Sequence, residues 1–274
     1  MQIRQMPVLG SECLIDLTAP LGAGDLEQLR DAYERTHLLL FRDQQLTGQE
    51  QFDFVRRFGP VVGEQHPWSY VSNVRPDGIV REGALLFHSD FAFTATPTLG
   101  IALHALEVPA DGSPTLYANA ARAARTMPAE LRARLDGVRV RNVYDFSGND
   151  DERMRVRTSS PGSPWHDHPI VAPHPRSGEP VVWANELHTD GVVGMTDDES
   201  DALLAEVFAV LYADDNVYEH RWSVGDLVLW DNIALHHGRR DIPRHEARTL
   251  QRVTLAELTP SQMVPNLAEL LAAR

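Results

Sequence analysis

The chain has 274 residues and is acidic: 39 Asp and Glu against 25 Lys and Arg give a formal net charge of −14. That charge repels nucleic-acid phosphates and anionic membrane surfaces, so neither is expected as a partner. The lone cysteine, Cys13, excludes an internal disulfide and a thiolate metal site. No apolar run suits a signal peptide or a membrane span, and a cytoplasmic protein is expected.

In chain order, "CLIDLTAP" reads as a short strand and "GAGDLEQLRDAYERT" as an amphipathic helix. "HLLLFRD" is a buried strand. "TGQEQFDFVRRFG" is a second helix, with Thr47 and Glu50 at the capping-box spacing. Residues 61–86 read as an irregular loop. "PTLGIALHALEV" and "DGSPTLYANA" then supply strands, and "ARAARTMPAELRARLDG" a surface helix. Further strands are expected in "VRVRNVYDF", "PIVAPH", "PVVWAN", "DLVLWDN" and "RTLQRVTLAEL". "TDDESDALLAEVFAVLYA" is a helix opened by Thr196, with Glu199 three residues on. No repeat or linker divides the chain, so one domain over 1–274 is expected. Its class is mainly β with flanking helices (α+β): a sandwich or jelly roll, one face covered by the N-terminal helices and the helix after Met195.

Two stretches carry chemistry. In "FHSDF", His88 and Asp90 are two residues apart, so an extended backbone turns both toward one side. With one distant histidine they would make a facial triad, which leaves three positions open on iron(II). The stretch 230–254, "WDNIALHHGRRDIPRHEARTLQRVT", gathers three histidines and five arginines in an acidic chain. Such a local cluster suits a small anion. His236 and His237 are adjacent and face opposite ways in a strand, so only one can reach the metal.

These residues, with "LLLFRDQQLTGQEQFDFVRRFGPV", "VPADGSPTLYAN" and "HPIVAPHPRSGEPVVWAN", resemble the taurine dioxygenase-like family of iron(II)- and 2-oxoglutarate-dependent oxygenases. The resemblance covers nearly the whole chain and implies a double-stranded β-helix (jelly-roll) core. It places the metal histidine after W-D-N and four variable residues, at His237, giving His88, Asp90 and His237 as iron ligands. Arg248, eleven residues further on, matches the arginine that holds the distal carboxylate of 2-oxoglutarate. Its planar fork suits that role. Thr115 matches the threonine that assists there. Arg252 lies four residues after Arg248, roughly 13 Å along a strand, and matches the arginine that meets an anionic substrate.

Residues 61–86 match the family's substrate lid, with His66 as a substrate contact and Trp68 and Tyr70 as apolar walls. His104 reads as a core residue; histidines 166, 168, 174, 188, 220 and 245 read as structural or surface residues. The resemblance implies iron(II), 2-oxoglutarate and O2 as reactants, with succinate and CO2 formed as a small organic, anionic substrate is hydroxylated. C–S or C–O cleavage would follow if the new hydroxyl sits beside a heteroatom. Ala92 stands where taurine-type enzymes usually carry a hydroxyl residue, and "GALLF" ahead of His88 is apolar. Both favour a bulkier, less polar substrate than taurine. A non-catalytic cupin-like binding protein and a tailoring oxygenase acting on a carrier-bound intermediate are the other readings. A homo-oligomer is compatible with the sequence.

Overall fold

The computed structural model describes residues 1–62, 67–79, 83–111, 113–144, 162–240 and 246–272. Its largest sheet has eight strands. In spatial order these are β1 (Gln2–Gln5), β2 (Ser11–Leu14), β3 (Leu38–Phe41), β15 (Leu227–Asp231), β7 (Gly100–Glu107), β17 (Thr249–Leu255), β4 (Ser69–Ser72) and β5 (Gly78–Ile79). A four-stranded sheet runs β14 (Val217–His220), β8 (Thr115–Asn119), β16 (Leu235–Arg239), β6 (Leu85–His88). Smaller sheets are formed by β10 (Trp165–Pro169), β9 (Arg139–Val143) and β13 (Thr189–Val192), and by β11 (Val171–Pro173) with β12 (Pro180–Val182).

Alternation along the central strands explains how the two large sheets meet. Leu38, Leu40, Ile101, Leu103, Val228, Trp230 and Leu250 face one way from the large sheet and join Tyr117 and Leu235 of the small one in a buried cluster. The residues between them, such as Leu39, Ala102, Leu229 and Val253, face the other way. There they pack against α1 (Ala23–Thr36) and α2 (Gly48–Val55), through Leu29, Ala32, Phe54 and Val55. Burying both faces of the large sheet is the reason its central strands read as near-continuous apolar runs.

Helix starts follow the local code. Thr47 accepts from the Glu50 N–H, and Glu50 accepts from the Thr47 N–H at 2.8 Å. The same reciprocal pair, Thr196 with Glu199, opens α5 (Asp197–Leu211).

Several expectations are corrected. The surface helix over 121–137 is two helices, α3 (Ala120–Thr126) and α4 (Ala129–Arg134). Pro128 separates them, since its ring disfavours helical backbone at Met127. α3 is also buried through Ala120, Ala121, Ala123 and Ala124. The stretch 61–86 is not wholly irregular: β4 pairs with β17, β5 pairs with β4, and β6 begins at Leu85. The N-terminal helices and α5 do not share a face; α5 packs in a separate cluster with α3, β9 and β12. Strands β10, β13 and β14 and the C-terminal helices α6 (Pro260–Met263) and α7 (Leu267–Ala272) were not anticipated. No described helix is long and apolar enough to cross a membrane.

Candidate metal and co-substrate site

β16 lies between β8 and β6, and its antiparallel register sets His237 directly opposite His88. The two imidazole centroids are 4.2 Å apart. Asp90 follows β6 in a turn, and its Oδ1 lies 3.2 Å from His88 Nε2 and 3.6 Å from His237 Nε2. The ligand atoms of all three side chains fall within 4.8 Å of one another. Three donors of this chemistry, converging on one point, fit a divalent cation of the iron(II) type. The Nδ1–H of His88 donates to the Leu86 carbonyl at 2.8 Å, which leaves Nε2 unprotonated for a metal. Gly238 permits the close strand pairing here, because a Cβ on it would meet the Leu85 carbonyl at 3.0 Å.

His236 points to the opposite face. Its Nε2–H donates to the Val182 carbonyl at 3.2 Å, and its Nδ1 accepts from the Tyr212 hydroxyl at 3.1 Å. Both nitrogens are occupied, and burial holds the imidazole down to about 3 and so neutral.

The W-D-N segment builds the frame. Asn232 accepts the Asp90 N–H at 2.9 Å and donates from Nδ2 to the Asp90 carbonyl at 3.1 Å and the Thr98 carbonyl at 2.8 Å. It thereby ties the Asp90 turn to the β15–β16 connection. Phe91, next to Asp90, takes the left-handed conformation (φ 60°), which is strained for a bulky side chain. Asp231 is fully buried; its Oδ1 accepts the N–H groups of Ile233 and Ala234, both at 3.0 Å, and His174 and Arg176 bind the same carboxylate.

The two arginines of the β17 segment meet different surroundings. Arg252 donates from Nη2 to Asp90 Oδ2 at 2.5 Å and from Nε to Thr254 at 3.1 Å. Burial pushes the Asp90 carboxyl up, but Arg252 and the two imidazoles outweigh it and hold the group well below the usual carboxylate range. Arg248 is 2% exposed, and among the described residues no acid pairs with it. Its Nη2 reaches Thr115 Oγ1 only at 3.5 Å, and its buried Nε has no partner among the described residues. Burial, with Arg239 nearby, lowers the guanidinium to about 9, still protonated at neutral pH. A buried cation left in this state fits an anion supplied from outside the chain.

Of the expected substrate residues, His66 lies outside the described residues, as does His245. Trp68 packs with the helix-side cluster, against Gly48 of α2, where an added Cβ would come within 2.6 Å of its ring. Tyr70 pairs with Gln251, whose side chain bonds to Gln51 of α2, and it stacks under Arg75. Neither joins the face that carries Arg252. His104 is the buried core residue expected, with Nε2 bonded to the Gln44 carbonyl at 3.1 Å.

His188, expected as a structural or surface residue, lies in the interior beside the candidate ligands. It is buried against His88 at 5.6 Å, with Phe93 and Tyr144 at 5.1 and 5.7 Å. An aromatic group therefore flanks the candidate metal ligands. The "NELH" turn carried a usable signal, since Asn185 accepts the His188 N–H, but twelve histidines diluted it.

Residues 2–254 match the family described as taurine catabolism dioxygenase TauD, TfdA family. The chain belongs to this family. It is a 2-oxoglutarate-dependent dioxygenase, working with iron(II), 2-oxoglutarate and O2. It is 32% identical over 268 residues to the alpha-ketoglutarate-dependent 2,4-dichlorophenoxyacetate dioxygenase of Cupriavidus pinatubonensis, covering 88% of this chain and 91% of that one. It is 28% identical to the alpha-ketoglutarate-dependent sulfate ester dioxygenase of Pseudomonas putida, covering 90% and 85%. The crystal structure of AAD-2 in complex with Mn(II) and N-oxalylglycine shares its fold, with a TM-score of 0.78, 24% identity and coverage of 94% and 98%. The non-catalytic reading is set aside by this membership.

Proposed function

We propose that this dioxygenase hydroxylates a small organic anion with a bulky apolar or aromatic part. His88, Asp90 and His237 hold the iron(II), and Arg248 with Thr115 holds the distal carboxylate of 2-oxoglutarate. The observation that carries this reading is Arg248, buried and without an acid among the described residues, in a chain of excess acids. When bound, iron(II) with 2-oxoglutarate supplies the oxidative decarboxylation that yields succinate and CO2. The protein's own part is placement: Asn232 fixes the Asp90 backbone, Arg252 fixes its carboxylate, and Leu86 fixes the His88 tautomer. The large and small sheets act as the two walls of a jelly roll, and the stretch 61–86 acts as the lid, with His66 on it.

Arg252 retains Nη1 for one oxygen of a substrate anion while its Nη2 holds Asp90. Phe93, Tyr144 and His188, beside His88, supply an aromatic wall. The relatives that act on 2,4-dichlorophenoxyacetate and on sulfate esters fit that pairing of an anion with an apolar body. Hydroxylation beside the ether or ester oxygen would then release the two halves by C–O cleavage. The test is succinate formation over aryloxy acids, sulfate esters, sulfonates and amino-acid derivatives. Substrate-dependent succinate is expected with the aryloxy acids or sulfate esters. Turnover confined to small polar sulfonates or amino acids would overturn the proposal.

A further inference from the structure

The co-substrate end of the site holds a further donor, outside the segments that carry the metal and arginine residues. Trp222, 2% exposed, lies just beyond β14, and its indole Nε1–H donates to Thr115 Oγ1 at 2.9 Å. An indole N–H can only donate, so Thr115 must accept. The threonine hydroxyl has one hydrogen and two lone pairs. Trp222 occupies one lone pair, and Arg248 Nη2 approaches the oxygen at 3.5 Å. The hydroxyl hydrogen is thereby directed away from both cations and donors, toward whatever acceptor stands beside Arg248.

The indole itself is fixed. The His220 ring meets it edge-on at 4.5 Å and 90°. His220 stands opposite Thr115 in the β14–β8 ladder, accepts or donates at 3.0 Å with the Tyr218 hydroxyl, and lies 3.2 Å from Asp226. Asp226 in turn takes Arg42 at 2.6 Å. A donor held this firmly sets the hydroxyl's direction before any ligand arrives, and it polarises the O–H as well.

We propose that Trp222 is a positioning residue for the co-substrate: its indole N–H holds the Thr115 hydroxyl as a donor to the distal carboxylate of 2-oxoglutarate. This rests on the reading of Arg248 and Thr115 given above. Without the indole, the hydroxyl is able to turn its lone pairs toward that carboxylate, and the site loses an oriented donor rather than a contact.

The test is co-substrate binding, followed through the visible charge-transfer band of the anaerobic iron(II) protein and by calorimetry of N-oxalylglycine with the zinc-loaded protein. Trp222→Phe keeps an aromatic ring and removes the donor. It is expected to weaken 2-oxoglutarate about three- to tenfold, the range for one hydrogen bond, with iron affinity unchanged. Thr115→Val should weaken it similarly, and adding Trp222→Phe to Thr115→Val should cost nothing more. Additive losses, or a Trp222→Phe protein that binds 2-oxoglutarate like the wild type, would overturn the proposal. Arg248→Ala separates the two readings: if it too leaves 2-oxoglutarate affinity intact, the carboxylate site itself is elsewhere.

Should Trp222→Phe fail to fold, the wild type gives a second readout. The indole cross-peak of Trp222 in the zinc-loaded protein, assigned against the other four tryptophans, should shift when N-oxalylglycine binds. That shift should vanish in Thr115→Val. A shift that persists in Thr115→Val would count against the coupling.

Discussion

Arg248 and Arg252 stand four residues apart and on the same side of one strand segment, yet they live in opposite electrostatic conditions. Arg252 has its counterion within the chain, Asp90 at 2.5 Å. Arg248 is more deeply buried and has none among the described residues. A buried charge costs several kcal/mol unless it is paired, so a chain keeps one unpaired only where something outside it completes the pair. The comparison teaches how to tell a cation kept wholly for an outside anion from one that also anchors a side chain of the site: burial alone does not separate them, whereas the missing partner does.

The sharpest way to break this comparison is at the carboxylate that only one arginine possesses. Asp90→Ala should reduce iron(II) affinity beyond the roughly 10–100-fold that a supporting residue costs. His88→Ala and His237→Ala should match it, while His236→Ala should not. Equilibrium dialysis against iron(II) checks this, and equal loss from His236→Ala would undo the ligand assignment.

Next in size, Arg248→Ala should weaken 2-oxoglutarate by about 2–5 kcal/mol, thirtyfold or more, because a charge-assisted partner is removed from a buried carboxylate. Arg248→Lys should restore only part of it, since the bidentate fork is lost. The same position reverses sign in the absence of ligand. Arg248→Met relieves an unpaired buried charge and should stabilise the ligand-free protein by about 1–4 kcal/mol, raising its melting temperature. Arg252→Met should lower it, because Asp90 is left uncompensated. Two melts with the same sign would erase the distinction between the arginines.

Arg252→Met should also loosen iron(II) by about tenfold, the low end for a residue that orients a ligand, and leave 2-oxoglutarate affinity nearly unchanged. Parallel loss of both affinities would place Arg252 in the co-substrate pocket instead.

The smallest effect concerns the turn that carries Asp90. His168 bonds to the carbonyls of Ala92 and Thr94, and burial, helped by His166, holds it down to about 4. Below pH 6.5 the unfolded chain binds a proton that the folded one refuses, so stability falls as pH drops from 6.5 toward 4. The loss should reach about 1.4 kcal/mol at pH 5.5. Urea midpoints at pH 7.5 and 5.5 should differ less in His168→Gln than in the wild type, and an unchanged difference would show the histidine titrating normally.

Much of the site was legible because its spacings are local. The two-residue step in "HSD" and the adjacency in "HH" translate directly into facing, given a period of two. The Thr47–Glu50 and Thr196–Glu199 boxes likewise depend on residues three apart. Trp68 and Tyr70 were misplaced for a reason of the same physics. Their face depends on the register in which β4 joins β17, and a slip of one residue exchanges the two faces. His188 reaches His88 from a turn a hundred positions away, and Trp222 reaches Thr115 across 107; no local pattern encodes either meeting.

By itself, then, the sequence determined the capped helices, the apolar strands, the candidate ligands and the resemblance that led to the family, since each depends on neighbours a few residues apart. Only the tertiary structure decided that Asp90 neutralises Arg252 and leaves Arg248 without a counterion among the described residues. Charge pairing is settled by distances of a few ångströms between strands, and those distances exist only once the sheets have closed on one another.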